Sequence, residues 1–233
     1  MVRWIRTDAM LRFKQFAGIV LNVAIFAALL FIPAGTWHWP RGWVLLAVTF
    51  VACALSIFAI SEDLLNERYK LLMQRGQPLA DRIVLIALLV SFIGMTILIP
   101  LDVFRFHLLV PPGPIVSAAG LVLLVVGWGF MGYAMRENTY AAPVVKLQRY
   151  RGQHVIDTGP YRIVRHPMYA AAVPFMVGMP LWLGSYAAAI ACAVPLALLA
   201  VRISIEEVLL RRELPGYEEY TRRTRFRLVP HVW

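Results

Sequence analysis

The chain has 233 residues, 60% of them apolar, a mean hydropathy of +0.68 and a formal net charge of +10. Soluble domains are nearer half apolar, and several runs here approach or exceed the roughly 18–20 residues that cross a bilayer, so a soluble domain on a single anchor is excluded in favour of one integral membrane domain over residues 1–233. The positive charge alone would suit a nucleic-acid binder, but its placement along the chain argues for a membrane partner and no nucleic acid.

A basic start leads into the first apolar run, residues 16–33. No convincing small-residue cleavage signal follows it, so it is read as a retained span and not a signal peptide. Further spans are expected at 43–61, 83–100 and 115–135, giving four transmembrane helices within 1–135. The apolar stretch 167–203 is too long for one crossing. Gly184-Ser185 near its middle predicts a tight helical hairpin, with Pro174, Pro180 and Pro195 kinking its arms. The fold class is all-α: a polytopic membrane bundle of five to six helices, with a cofactor-binding half over 136–233 that contains the hairpin and a basic tail. Trp37, Trp39 and Trp43 flank Pro40 and are read as interfacial anchors. Cys53 and Cys192 lie in apolar runs and are read as small core residues. Neither they nor the five scattered histidines have zinc spacing, so no metal is expected.

Of the 23 Lys and Arg residues, 21 fall in the N-terminus, the second and fourth loops and the tail, and only Arg41 and Arg105 fall in the other two loops. The positive-inside rule then places both termini and those two basic loops in the cytoplasm, with a bacterial inner membrane as the expected location. The charge is thus mainly an orientation and lipid-headgroup signal.

Three polar clusters share that side. Arg136 to Tyr140 leaves the fourth span. Residues 153–169 precede the hairpin and contain Gly159-Pro160-Tyr161 and Arg165-His166-Pro167-Met168-Tyr169. Proline suits the first helical position, so a loop should end at His166 and a helix begin at Pro167, bringing free N–H groups, a guanidinium, an imidazole and a phenol to one point. So many hydrogen-bonding groups at membrane level imply a polar ligand. The third cluster, Arg202 to Glu207, leaves the hairpin. Arg202 and Glu206 share a helix face, which is read either as an intrahelical ion pair or as a polar pair lining a cavity; Glu207 points elsewhere and is a candidate for a second ligand group. Gly127, Gly129 and Gly132 match a G-x-G-x-x-G pattern but sit in an apolar helix with no preceding strand, so close helix approach explains them better than dinucleotide binding. The tail from Leu214, rich in Arg and amphipathic, is read as lying on the anionic leaflet.

These motifs, with Glu206-Glu207 and Gly216-Tyr217-x-x-Tyr220 after the hairpin, resemble the isoprenylcysteine carboxyl methyltransferase family of membrane methyltransferases, with phospholipid methyltransferases as more distant relatives. The resemblance covers roughly 136–230. It implies S-adenosylmethionine as cofactor and S-adenosylhomocysteine as product. It places cofactor contacts on Gln153, His154, Val155, Ile156, Tyr161, His166, Pro167, Met168 and Tyr169, with Glu207 added, and the acceptor-side catalytic pair on Arg202 and Glu206. The implied partner is a lipophilic or prenylated acceptor delivered by the bilayer. Small thiols and phospholipid amines stay open as acceptors, and a transporter or a structural membrane subunit stands as the rival class. Polar clusters confined to the C-terminal half favour the enzyme, since transport predicts broken helices in both halves.

Overall fold

The computed structural model describes the backbone of residues 2–68, 70 and 73–233, and the side chains of these except 2–14 and 57–59. The four N-terminal basic residues of the charge count, Arg3, Arg6, Arg12 and Lys14, thus lie outside the described side chains. Among the described residues the chain is entirely helical, with no strand: α1 Val2–Ala34, α2 Pro40–Ala59, α3 Glu62–Arg68, α4 Leu79–Leu101, α5 Pro114–Glu137, α6 Pro167–Leu183, α7 Tyr186–Ala191, α8 Ala193–Glu213 and α9 Tyr217–Arg223. Four stretches are long and apolar enough to cross a membrane (15–34, 79–106, 114–137 and 186–213), and α2 and α6 are shorter apolar helices beside them. Large apolar side chains face outward, Ile115 and Val90 among them, while Leu30, Ile99, Leu124 and Met179 are fully enclosed. Helices apolar on every side need lipid around them, so the protein is an integral membrane bundle.

The hairpin turns where the sequence placed it. α6 ends at Gly184, whose φ of +102° suits a residue without Cβ, and the Ser185 hydroxyl caps α7 by accepting from the Ala188 N–H. Ser185 also donates to buried Asp102 at 2.6 Å, tying the turn to the π-helical turn Asp102–Phe106 after α4. The second arm breaks at Cys192, since Pro195 cannot donate to the Ala191 carbonyl. Phe31, Trp37, Trp39, Trp43 and Phe104 pack ring on ring at this end of the bundle.

The pair α5 and α6 forms the tightest seam. A Cβ on Gly178 would lie 2.5 Å from the Gly120 carbonyl oxygen, and one on Gly127 would lie 2.6 Å from the Phe175 nitrogen. Gly127 therefore fulfils the expectation of close helix approach, whereas a Cβ on Gly129 or Gly132 would meet nothing within 4 Å among the described residues. Gly120 and Gly178, outside the G-x-G-x-x-G pattern, do more of the work.

Candidate active site

Opposite the tryptophan end, the connection from α5 to α6 folds into a compact loop. Gln148 is fully buried and organises it: its side chain donates to the Tyr140 carbonyl at 2.7 Å, and its N–H donates to the Gln153 side chain at 2.6 Å. Tyr140 Oη and His154 Nδ1 share a hydrogen bond of 3.2 Å. Tyr161 is buried in a tight turn, Gly159–Arg162, and its carbonyl accepts from Tyr220 Oη at 2.7 Å. That bond ties the loop to α9.

The loop indeed ends at His166 and α6 begins at Pro167. The N–H groups of Arg165 and His166 are not free, however. They donate to the carbonyls of Phe226 and Arg227 at 2.9 and 3.0 Å, and Arg165 Nη1 donates to the carbonyls of Thr224 and Arg225. The segment 224–227 is thus strapped along 163–166, and α9 packs Tyr217 and Tyr220 against Leu147, Val155 and Leu210. The expectation of a tail merely resting on lipid is corrected here, because its aromatic face is buried in the protein.

Glu207 also takes a different part from the one expected. Its carboxylate accepts from Arg165 Nε at 2.6 Å and Arg227 Nε at 3.0 Å, and lies 3.3 Å from His166 Nε2. It is a buried clamp holding loop to strap and does not line the pocket. Glu206, one position earlier, turns into the pocket and accepts from Tyr169 Oη at 2.8 Å. Arg202 does not pair with Glu206. Its Nε donates to Asp81 at 2.9 Å, its Nη2 donates to the Pro143 carbonyl at 2.5 Å, and its guanidinium sits 6.0 Å from the Tyr169 ring centre.

These groups surround a half-open pocket whose empty space, the solvent at its mouth included, is about 870 Å³. Gln153, His154, Val155, Ile156, Tyr161, His166, Met168, Tyr169, Arg202 and Glu206 all line it; Pro167 and Glu207 stand behind its wall. Sequence reading missed the part played by Tyr140, Lys146, Tyr217 and Tyr220 in the lining, and by Asp81 behind Arg202. Asp81 carried a signal: an acid beside an apolar span is costly unless paired. Lys146 is held by Glu67, whose buried carboxylate also accepts from Lys70 and Tyr150. Burial alone would raise the Glu67 carboxyl, but these three donors outweigh it and hold it at about 2. Burial pushes Tyr161, Tyr217 and Tyr220 above the usual phenol range, so they stay neutral. The Tyr217 hydroxyl is buried with no partner among the described residues. A buried, unpaired hydroxyl in a pocket wall costs stability unless a ligand or water meets it.

Residues 115–215 match the family model of the phospholipid methyltransferases, a family in the same group as the isoprenylcysteine carboxyl methyltransferases. The match supports the resemblance read from the motifs: the segment from the start of α5 to the loop before α9 is similar to a membrane methyltransferase domain. No curated protein matches the chain.

The residues present suit S-adenosylmethionine. The pocket combines apolar walls with a few placed polar groups, the make-up of a small-molecule site. It offers tyrosine rings for a cation, a carboxylate and the unpaired Tyr217 hydroxyl.

Proposed function

We propose that the protein moves a methyl group from S-adenosylmethionine to a lipophilic acceptor delivered by the bilayer, leaving S-adenosylhomocysteine. The observation that carries this reading is the convergence of the 153–169 segment and the Arg202–Glu206 pair on one pocket inside the methyltransferase domain. Residues 153–156, Tyr161, His166, Met168 and Tyr169 hold the cofactor in this reading. The cofactor supplies a sulfonium methyl with its own leaving group, so no metal or covalent enzyme intermediate is required. The protein's contribution is positioning and exclusion of water.

Arg202 is the acceptor's anchor. Its Nη1 donates to no protein atom among the described residues and is free for an anion, while its other nitrogens are occupied. A carboxylate acceptor, such as that of a prenylated cysteine, is already ionised and needs no base. A thiol or an amine must lose a proton, and Glu206, in the same pocket, is the group placed to take it. The pocket opens to the cytoplasm in this reading, with both termini on that side.

The test is labelled-methyl transfer by the detergent-solubilised protein, to N-acetyl-S-farnesylcysteine and to a total membrane lipid extract, with products identified by mass. Calorimetry with S-adenosylhomocysteine should give a micromolar-range Kd, about −8 kcal/mol. His166→Ala should weaken that binding at least several-fold in folded protein. No heat of binding in the parent would overturn the reading.

A further inference from the structure

Asp81 stands in the first turn of α4, outside the matched methyltransferase segment, yet it is the fully buried partner of Arg202. Its two oxygens divide their work. Oδ1 accepts from Arg202 Nε at 2.9 Å; Oδ2 accepts from the Val145 N–H at 3.0 Å and from Gln77 Nε2 at 2.7 Å. Val144 and Val145 line the pocket. One carboxylate therefore sets both the side chain and the loop that bound the acceptor side of the cavity. The constraint on Arg202 is directional. With Nε on Asp81 and Nη2 on the Pro143 carbonyl, the guanidinium plane is fixed along one edge, which leaves Nη1 as the nitrogen available to a ligand.

We infer that Asp81 is a positioning residue for methyl transfer: it orients Arg202 toward the acceptor, so the site is completed by the half of the chain that the methyltransferase domain does not cover. This rests on the proposed role of Arg202. A buried carboxylate that only neutralised a charge would need no second ligand from the pocket loop, whereas Asp81 fixes loop and guanidinium together. An acceptor must be held in line with the donor methyl, so a small tilt of its anchor is costly in rate.

The experiment is a double-mutant cycle of Asp81→Asn and Arg202→Lys, assayed with N-acetyl-S-farnesylcysteine, alongside calorimetry with S-adenosylhomocysteine and thermal unfolding. Asp81→Asn should raise the acceptor KM and lower kcat/KM at least tenfold, with S-adenosylhomocysteine affinity within twofold of the parent. Asp81→Asn keeps an oxygen that can accept from the Val145 N–H, so the double variant should be no worse than Arg202→Lys alone. Additive losses, or a fall in kcat/KM that merely tracks lost folded protein, overturn the inference. Should Asp81→Asn not fold, Gln77→Met removes one donor to Asp81 without unpairing the arginine, and must show the same KM shift in milder form; an unchanged KM overturns the inference. If Arg202→Lys turns over normally, the acceptor reading itself falls, whatever Asp81 does. If the parent ignores this probe, the cycle is read on the lipid methylated in membrane extract.

Discussion

Tyr217 shows how one atom can separate binding from stability. Its hydroxyl is buried without a partner among the described residues, while its ring packs with Tyr220 on the pocket wall. Tyr217→Phe should leave the ligand-free protein as stable as the parent or up to about 1 kcal/mol more so, since an unsatisfied buried group is removed. If the hydroxyl meets the cofactor, the same change weakens S-adenosylhomocysteine binding. Thermal unfolding and calorimetry on one preparation check both halves, and unchanged affinity would remove the hydroxyl from the binding set. Glu67 makes a second residue-scale prediction, through pH. Its folded-state carboxyl lies at about 2, below the ordinary 4.5, so its stabilisation is present above pH 4.5 and is lost as pH falls from there toward 2. The gap between parent and Glu67→Gln in thermal unfolding should be open near neutrality and should close over that acid window. A gap independent of pH would mean the contribution of Glu67 is packing alone.

Elements meet through two kinds of contact, glycine seams and polar straps, and each makes its own prediction. The α5–α6 seam places backbone against backbone at Gly120 and Gly178. Because backbone cannot yield as a flexible side chain does, Gly178→Ala should force the helices apart and cost about 1–3 kcal/mol. Gly129→Ala, with open space around it, should be tolerated and improve helix propensity slightly. Unfolding of the pair in the same detergent compares them directly; equal stability would deny the seam its importance. The strap works differently. Arg227 joins Glu207 to the loop that carries His166, with its guanidinium 5.1 Å from the Trp233 ring centre. Arg227→Ala leaves Glu207 its bond from Arg165, so the bundle should still assemble while the pocket loosens.

Considered whole, the molecule is a bundle with unlike ends. One carries stacked aromatic rings and the Asp102–Ser185 staple; the other carries the pocket, the strap and most of the charge. The division of basic residues predicts that reporter fusions at residues 1 and 233 both report the cytoplasm. A periplasmic or luminal signal from either end would overturn that orientation and place the pocket on the wrong side for a cytoplasmic methyl donor.

The sequence by itself determined the bundle and, through the resemblance its motifs carry, ten of the residues that line the pocket. Runs of apolar residues set the spans to within a few positions, because a bilayer leaves helices little choice of length or surface. Gly184, Ser185, His166 and Pro167 marked their helix ends because the chemistry of a cap or a first turn is local. Local rules could not decide partners. Helix spacing put Arg202 and Glu206 on one face, yet Arg202 went to Asp81, 121 positions away, and Glu206 to Tyr169. Buried charges take whichever partner removes them best from a poor dielectric, and that partner is fixed by how helices pack. The same reason separates the adjacent glutamates. Successive helical residues point about 100° apart, so helix geometry and packing turned Glu206 toward the pocket and Glu207 toward Arg165 and the strap residue Arg227.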